Sequence, residues 1–391
     1  MNILHVINIS FVIPYFFGKQ FSYFNNRGYK EYIVCSSSEE LRRFAASYDF
    51  EFYEVEILRA ISLRKDIKAV YKIAKCIWQS KADVVTGHTP KGALLSMIAA
   101  YIMHVPVRIY FRHGLVYETA KGFKRKLLLY MDRLSAQLAT KVVCVSPSVY
   151  KRSLEDKLNM GSKQILLSKG TCNGIDIERF NRDKLDYSRI ERLKADLGLN
   201  RYNFIIGFTG RMVRDKGIIE LVNAFKCLQG NHPNIALLLV GMLEKRDALP
   251  ENIVNEIKRN SSIIYTGYVE NAMIEYYYAM MNLFVLPSYR EGFPTSVLEA
   301  SAMELPVITT KVTGCIDSII EEKTGIYVEH DSGSLAIAIE NFYHDEMLCH
   351  EYGRNGRKFV VDNFEQHIIW KEIEKLYLEV TTVPLKSEKV L

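Results

Sequence analysis

Short runs of β-branched and aliphatic residues return along this chain at intervals long enough to hold a helix between them. Residues 3–9, 31–36, 84–87, 107–111 and 141–146 form one series. Residues 203–210, 235–241, 263–265, 283–287, 306–309 and 325–328 form a second. Strands that alternate with helical patterns indicate parallel sheets with crossover helices. The polar stretch 181–201 between the series has no strand pattern and predicts a helix over 188–196. The fold class expected is therefore α/β, with two Rossmann-like, doubly wound domains at 1–180 and 200–361. Residues 362–380 read as a last helix with Phe364, Ile368, Ile369, Ile373 and Tyr377 on its apolar face, in a segment 362–391 expected to cross back to the first domain. The tail 381–391 is expected to fray.

A chain of 391 residues, 48% hydrophobic and 25% charged, suits a globular protein with more than one core. Its seven cysteines are scattered singly, without a C-x-x-C pair, which points to a reducing compartment rather than a disulfide framework. The N-terminus reads as a buried strand rather than a signal peptide. The longest apolar stretch, 92–110, is interrupted by His104, Pro106 and Arg108, so no membrane-spanning helix is expected. The net charge of +6 is unevenly divided, with 27 Lys/Arg against 15 Asp/Glu in residues 1–180 and 24 against 30 in the remainder. A basic half suits nucleic acid, an anionic lipid surface or a diphosphate-bearing substrate. No nucleic-acid-binding signature accompanies it.

In open α/β sheets ligands bind beyond the carboxyl ends of the strands, and the two domains are expected to face each other across a cleft there. The motifs lie after strands. Residues 286–300, L-P-S-Y-R-E-G-F-P-T-S-V-L-E-A, end an apolar strand, turn at Gly292 and open a helix at Pro294. Free backbone N–H groups around Phe293 to Ser296, that of Thr295 among them, and the positive end of the helix dipole attract a diphosphate, with Pro294 in the first turn, Glu291 at the lip and Glu299 one turn in. An isolated E-x7-E spacing would be read as a solvated carboxylate and a helix-end charge; the complete turn changes that reading. Residues 208–217, F-T-G-R-M-V-R-D-K-G, place Gly210, Arg211 and Lys216 before a second helix. Cations oppose the dipole at that end, and a bound diphosphate gives them a reason to be there.

Glu291-x7-Glu299 together with the G-R-x-x-x-x-K-G block resembles the signature of glycosyltransferase family 4, retaining enzymes of the GT-B fold, and the resemblance extends over nearly the whole chain. It implies that Glu291 lies beside the donor sugar, that Glu299 binds ribose hydroxyls, and that Arg211 and Lys216 stabilise the leaving diphosphate. Tyr268 and Val269, in Y-T-G-Y-V, resemble the strand end that reads the base. Thr313-Gly-Cys-Ile-Asp317 stands where the family commonly has Gly-Gly-x-x-Glu, so Asp317 is left between a donor contact and a helix cap. After the strand ending at Phe111, His113 occupies the place of a donor-sugar contact, with Arg112 as a neighbour able to share the task. Gly18 marks the first-domain loop that meets the diphosphate, without the usual Gly-Gly pair.

Arg112 and three further residues are candidates for the acceptor. His88 and Lys91, in H-T-P-K-G, open a helix able to bind a phosphate, although a capped helix with a solvated lysine fits equally. Asn173, in a segment similar to the family's N-G-x-D-x-x-x-F, stands near the hinge, where Asn-Gly is also an ordinary turn. The resemblance is strongest to enzymes that extend polyprenyl-diphosphate-linked glycans for capsule, O-antigen or protein glycosylation. It implies a UDP-sugar donor, with an N-acetylated or deoxy-amino hexose as a candidate. No cofactor or metal is expected, because the two cations stand in for magnesium and no D-x-D motif ends a strand. The basic runs 64–75 and 121–126 predict reversible attachment to an anionic membrane at its cytoplasmic face. A sugar-nucleotide epimerase of similar shape and a non-catalytic partner subunit are the competing readings.

Overall fold

The computed structural model describes residues 1–244 and 247–382. The tail expectation falls mainly on 383–391, which lie outside the described residues. The chain forms two compact units, one of Met1–Gly174 with the segment that begins at His367, the other of Ile175–Gln366.

The first unit carries strands β1 (Asn2–Val6), β2 (Lys30–Cys35), β3 (Glu51–Glu54), β4 (Val84–Gly87), β5 (Val107–Arg112), β6 (Lys141–Cys144) and β7 (Gln164–Leu166). They lie in the order β3-β2-β1-β4-β5-β6-β7, every pair parallel. The second unit carries β8 (Phe204–Thr209), β9 (Ile235–Val240), β10 (Ile263–Tyr265), β11 (Leu283–Leu286), β12 (Val307–Thr310) and β13 (Gly325–Val328). Their order is β10-β9-β8-β11-β12-β13, again all parallel. Both orders are doubly wound, and each reverses direction beside its first strand, between β1 and β4 and between β8 and β11. That reversal opens the crevice in which such sheets bind ligands.

Helices cover both faces, so the inner strands are buried throughout and read as unbroken aliphatic runs; β9, IALLLV, is buried at every position. Each fully buried Leu, Ile or Phe contributes roughly 1.5–3 kcal/mol relative to exposure, which makes these sheets rigid supports for the loops at their ends. Two strands were absent from the sequence expectation. β3 is an edge strand with a glutamate at each end, and β7 has only three residues. The expected strand 141–146 stops at Cys144, because the Ser146 side chain accepts from Val149 N–H and starts the helix Pro147–Glu155.

The single helix expected over 362–380 is a correction: two helices, Glu346–Phe364 and Gln366–Thr382, meet at Glu365. Backbone bonds from Ile175 N to Phe364 O and from Gln366 N to Ile175 O occupy the junction and interrupt the helical ladder. The last helix buries Ile369, Trp370, Ile373, Leu376 and Tyr377, with Trp370 against Tyr23 and Tyr377 against Phe24. Among the described residues no helix is long and apolar enough to cross a membrane, and all seven cysteines are free.

Candidate active site

In the second unit the loops after β8, β9, β10, β11 and β12 are drawn together by close backbone approaches. Gly210 N–H donates to Val240 O, Met212 N–H to Met242 O and Gly241 N–H to Gly267 O. A side chain on Gly241 would put its Cβ 1.9 Å from Gly210 O. Gly217, with φ +70°, lies against Pro287, where a Cβ would come within 2.0 Å of the carbonyl oxygen. Gly314 sits on Gly292 in the same way, at 2.5 Å. The loop 313–317 is thereby seated on the turn that carries Glu291.

The charged side chains follow from this arrangement. Lys216 Nζ is bonded to Glu291 Oε1, joining the β8 and β11 loops in a half-buried ion pair. Arg211 Nη1 donates to Glu244 Oε2 at 3.0 Å. Arg290 and Asp215 pair at 2.9 Å, and Tyr289 N–H donates to Asp215 O, bracing the Glu291 turn from behind. The helix Thr295–Ala302 starts at Pro294 without a side-chain cap, so its first N–H groups suit an anion. Phe293 packs on Phe364 at 5.3 Å. Tyr268 is exposed and Val269 half-buried beyond β10.

Glu299 is buried one turn into that helix, where it accepts from Tyr278 Oη at 2.8 Å. Tyr278 Oη is also 2.6 Å from Thr209 Oγ1 at the end of β8. Burial pushes the Glu299 carboxyl up to about 7, against the lowering influence of the Tyr278 hydroxyl and Arg179. A carboxyl poised near neutrality beside a hydroxyl network can grip neutral hydroxyl donors. Tyr278 and Glu244 were missed from the sequence, since a tyrosine in an aromatic helix and a loop glutamate carry no local signal.

The first unit treats its expected residues differently. His113 follows β5, stacked on Phe16 with ring centroids 3.8 Å apart, and burial pushes its pKa down to about 3. Gly18, at φ +51°, closes the turn after the helix Ile13–Phe16. Arg112 requires a correction. It is fully buried, its guanidinium donating to Asp132 at 2.7 Å and Asn159 at 2.9 Å, so it is a core ion pair rather than an acceptor contact.

His88 is likewise enclosed, with both ring nitrogens bonded, to Thr86 Oγ1 and to His113 Nε2. Lys91, buried in the first turn of the helix Pro90–Ile102, pairs with Asp66 at 2.7 Å. Asn173 donates to Tyr15 O and accepts from Trp370 Nε1, which ties the chain just before the crossover to the last helix. The fold thus engages the polar groups of all four expected acceptor residues. Among the described residues one group has metal-ligand spacing, His232, Glu340 and His344, with ligand atoms within 4.8 Å of one another. It lies before β9, at the amino ends of the strands and away from the loops described above.

Two cations on the β8 loop, a carboxylate on the β11 turn and a buried carboxyl in the following helix thus belong to loops at the carboxyl ends of the strands of a Rossmann-like unit. The family described as "Glycosyl transferases group 1" matches residues 189–359, and "Glycosyl transferase 4-like" matches residues 3–146. The capsular polysaccharide biosynthesis glycosyltransferase CapM of Staphylococcus aureus is 36% identical over 378 residues, covering 96% of each chain. The UDP-Gal:alpha-D-GlcNAc-diphosphoundecaprenol alpha-1,3-galactosyltransferase of Escherichia coli is 25% identical, covering 93% of this chain and 92% of its own. Among solved structures, Anabaena Alr3699/HepE in complex with UDP and glucose has a TM-score of 0.81 at 16% identity, covering 97% of this chain and 100% of that one. The chain belongs to this family of glycosyltransferases, and its two Rossmann-like sheets are those of the GT-B fold.

Proposed function

We propose that the protein transfers a sugar from a UDP-sugar to a saccharide carried on a polyprenyl diphosphate, with retention of anomeric configuration and without a metal ion. The observation that carries this reading is the joining of the two loops: Lys216 on the β8 loop, which also carries Arg211, is bonded to Glu291 on the β11 turn, and Glu299 is linked through Tyr278 to the end of β8. Arg211 and Lys216 take the diphosphate, the uncapped helix at Pro294 adds N–H donors, and Glu299 holds the ribose hydroxyls. A bound diphosphate would draw Lys216 from Glu291 and release that carboxylate to the sugar. For His113 the role proposed is the one the resemblance implies, a contact to the donor sugar. Departure of UDP is then assisted by fixed positive charge, and a donor phosphate oxygen takes the acceptor proton on the same face. The relatives named for diphosphoundecaprenol-linked acceptors support the acceptor class, and an N-acetylated or deoxy-amino hexose is the proposed donor sugar.

Attachment to the inner membrane face is part of the proposal. On the helix Leu63–Ser80 the side chains Leu63, Ile67, Tyr71 and Trp78 form an exposed apolar stripe, Leu63 and Trp78 at 76% and 71% exposure. Arg64, Lys65, Lys68, Lys72 and Lys75 flank it, and Phe123 stands exposed among Lys121, Lys124, Arg125 and Lys126. Such a face lies in the plane of an anionic bilayer, each basic residue adding about 1 kcal/mol. Sedimentation with phosphatidylglycerol vesicles checks it: replacing Leu63, Ile67 and Trp78 together by Ser should release the protein, and unchanged binding would remove this surface.

The activity itself is tested by a donor screen against extracted polyprenyl-diphosphate-linked saccharides, read by product mass and anomeric configuration. Isomerisation of free UDP-sugar without transfer would favour an epimerase, and an inverted product would refute retention.

A further inference from the structure

Five polar side chains cross the interior of the first unit in single file. Glu31 Oε1 is 3.0 Å from His5 Nε2, and His5 Nδ1 is 2.6 Å from Thr86 Oγ1. Thr86 Oγ1 is 2.9 Å from His88 Nε2, and His88 Nδ1 is 2.9 Å from His113 Nε2. The row runs from β2 through β1 and β4 to the turns after β4 and β5, and its first four members are buried. Phe17 lies against His5, Phe111 is stacked on His88 and Phe16 on His113, which shields the row from water up to the partly exposed ring of His113. An unmatched polar group in such surroundings is destabilising, so the row is stable only if its hydrogens are ordered.

The ordering follows from the chemistry of the groups. Burial pushes His5 and His113 down to about 3 and His88 well below its ordinary value, so the three rings are neutral, each with one donor and one acceptor nitrogen. Thr86 is fully buried and its hydroxyl lies between the two rings, so its hydrogen goes to one of them. All four links therefore point the same way.

Their common direction is set at Glu31. Burial raises this carboxyl well above the ordinary value, so it retains its proton, and the titratable neighbours facing it, Tyr377 and through it Tyr29, are uncharged phenols. Glu31 Oε2 is buried without a partner. A buried acceptor is left unpaired more readily than a buried donor, which places the hydrogen on Oε1, pointing to His5. The hydrogens then run outward: Glu31 to His5, His5 to Thr86, Thr86 to His88, and His88 Nδ1–H to His113 Nε2.

We propose that Glu31, His5, Thr86 and His88 are positioning residues that hold His113 as the neutral tautomer with its hydrogen on Nδ1, making it a donor to a ligand oxygen rather than a base. The effect on transfer rests on the proposed role of His113 at the sugar; the tautomer does not. Val in place of Thr86 keeps the shape and removes the hydroxyl, whereas Ser keeps the hydroxyl.

The test uses the full chain labelled with ¹⁵N-histidine, and long-range ¹H–¹⁵N spectra near neutral pH, with His113→Asn assigning the ring. Wild type and Thr86→Ser should show His113 protonated on Nδ1 alone. Thr86→Val should show a mixture of tautomers, and kcat for transfer should fall roughly tenfold to a hundredfold at nearly constant KM. The signals of His367, which lies in the same unit against Trp370 and Tyr23 and outside the row, report that the variant is folded. A wild-type His113 protonated on Nε2, or the same tautomer in wild type and Thr86→Val, overturns the proposal. Correct spectra with no transfer activity would instead count against the proposed function and leave the ordered row standing.

Discussion

Replacing Glu299 by Gln should stabilise the protein above neutral pH while weakening its hold on nucleotide. The carboxyl titrates at about 7 in the fold because of burial, against 4.5 as its ordinary value. The folded state therefore binds this proton more tightly than the unfolded chain, and ionisation lowers stability. The loss is absent well below pH 4.5, grows as the pH rises towards 7, and is complete above that. A shift of this size corresponds to about 3 kcal/mol. Gln matches the shape, keeps an oxygen for the Tyr278 hydroxyl and never ionises. The variant should therefore exceed wild type by about 3 kcal/mol at pH 8 and by less than about 1 kcal/mol at pH 5. Hydrogen bonds from ribose hydroxyls to a carboxylate are each worth about 1.5–3 kcal/mol, so UDP affinity should fall roughly tenfold to a hundredfold at pH 8. Urea denaturation of both proteins across this pH range, with UDP calorimetry at the upper end, makes the comparison. A stability difference that does not change with pH would refute the account of why this carboxyl is perturbed. Unchanged UDP affinity would remove its proposed role.

Four other substitutions separate the site from its scaffold. Arg211→Ala and Lys216→Ala should each lower transfer by roughly a hundredfold or more, with melting temperatures near wild type, because removing one preorganised charge at a leaving group has that scale; steady-state kinetics with UDP-sugar checks this. Arg112→Met leaves Asp132 buried without its cation and should cost about 3–5 kcal/mol in denaturation while UDP affinity is unchanged. Gly217→Ala would press a Cβ to 2.0 Å from Pro287 O at a φ of +70°, and should cost about 1–3 kcal/mol and displace Lys216 from Glu291. Normal stability and turnover in Gly217→Ala would mean that the β8 and β11 loops are not coupled in this way.

What could be read from the sequence depended on how local the cause was. The inner strands were legible because burial on both faces leaves aliphatic runs such as β9; β3 was not, since Glu51 and Glu54 mark an edge and interrupt the pattern. The turn from Leu286 to Ala300 was legible for a similar reason, as one continuous segment contains strand end, Gly292, Pro294 and both glutamates. The partners of these groups come from distant elements, and nothing near Arg211 in sequence indicates Glu244, nor anything near Glu299 indicates Tyr278. His88 and Lys91 follow a strand and Arg112 ends one, as site residues do, yet His113, Asp66 and Asp132, which engage them, are found only by folding the chain.

The histidine row shows where a further signal lay. His5 interrupts the aliphatic run of β1, and Thr86 that of β4, at positions where a buried parallel strand has no use for a polar group unless its neighbour supplies a partner. The strand order places β1 between β2 and β4, and the register sets His5 directly opposite Thr86. Glu31 lies on β2 opposite Ile3, two residues from His5 along β1 and on the same side of the pleat, within reach of its imidazole. A polar residue in the centre of an otherwise aliphatic parallel strand is thus a statement about the adjacent strand, and it becomes interpretable once strand order is inferred. In this chain that order was implied by the doubly wound pattern itself, so the link from His5 to Thr86 follows from topology, whereas its extension to His113 depends on the turns after β4 and β5, whose geometry no strand pattern specifies.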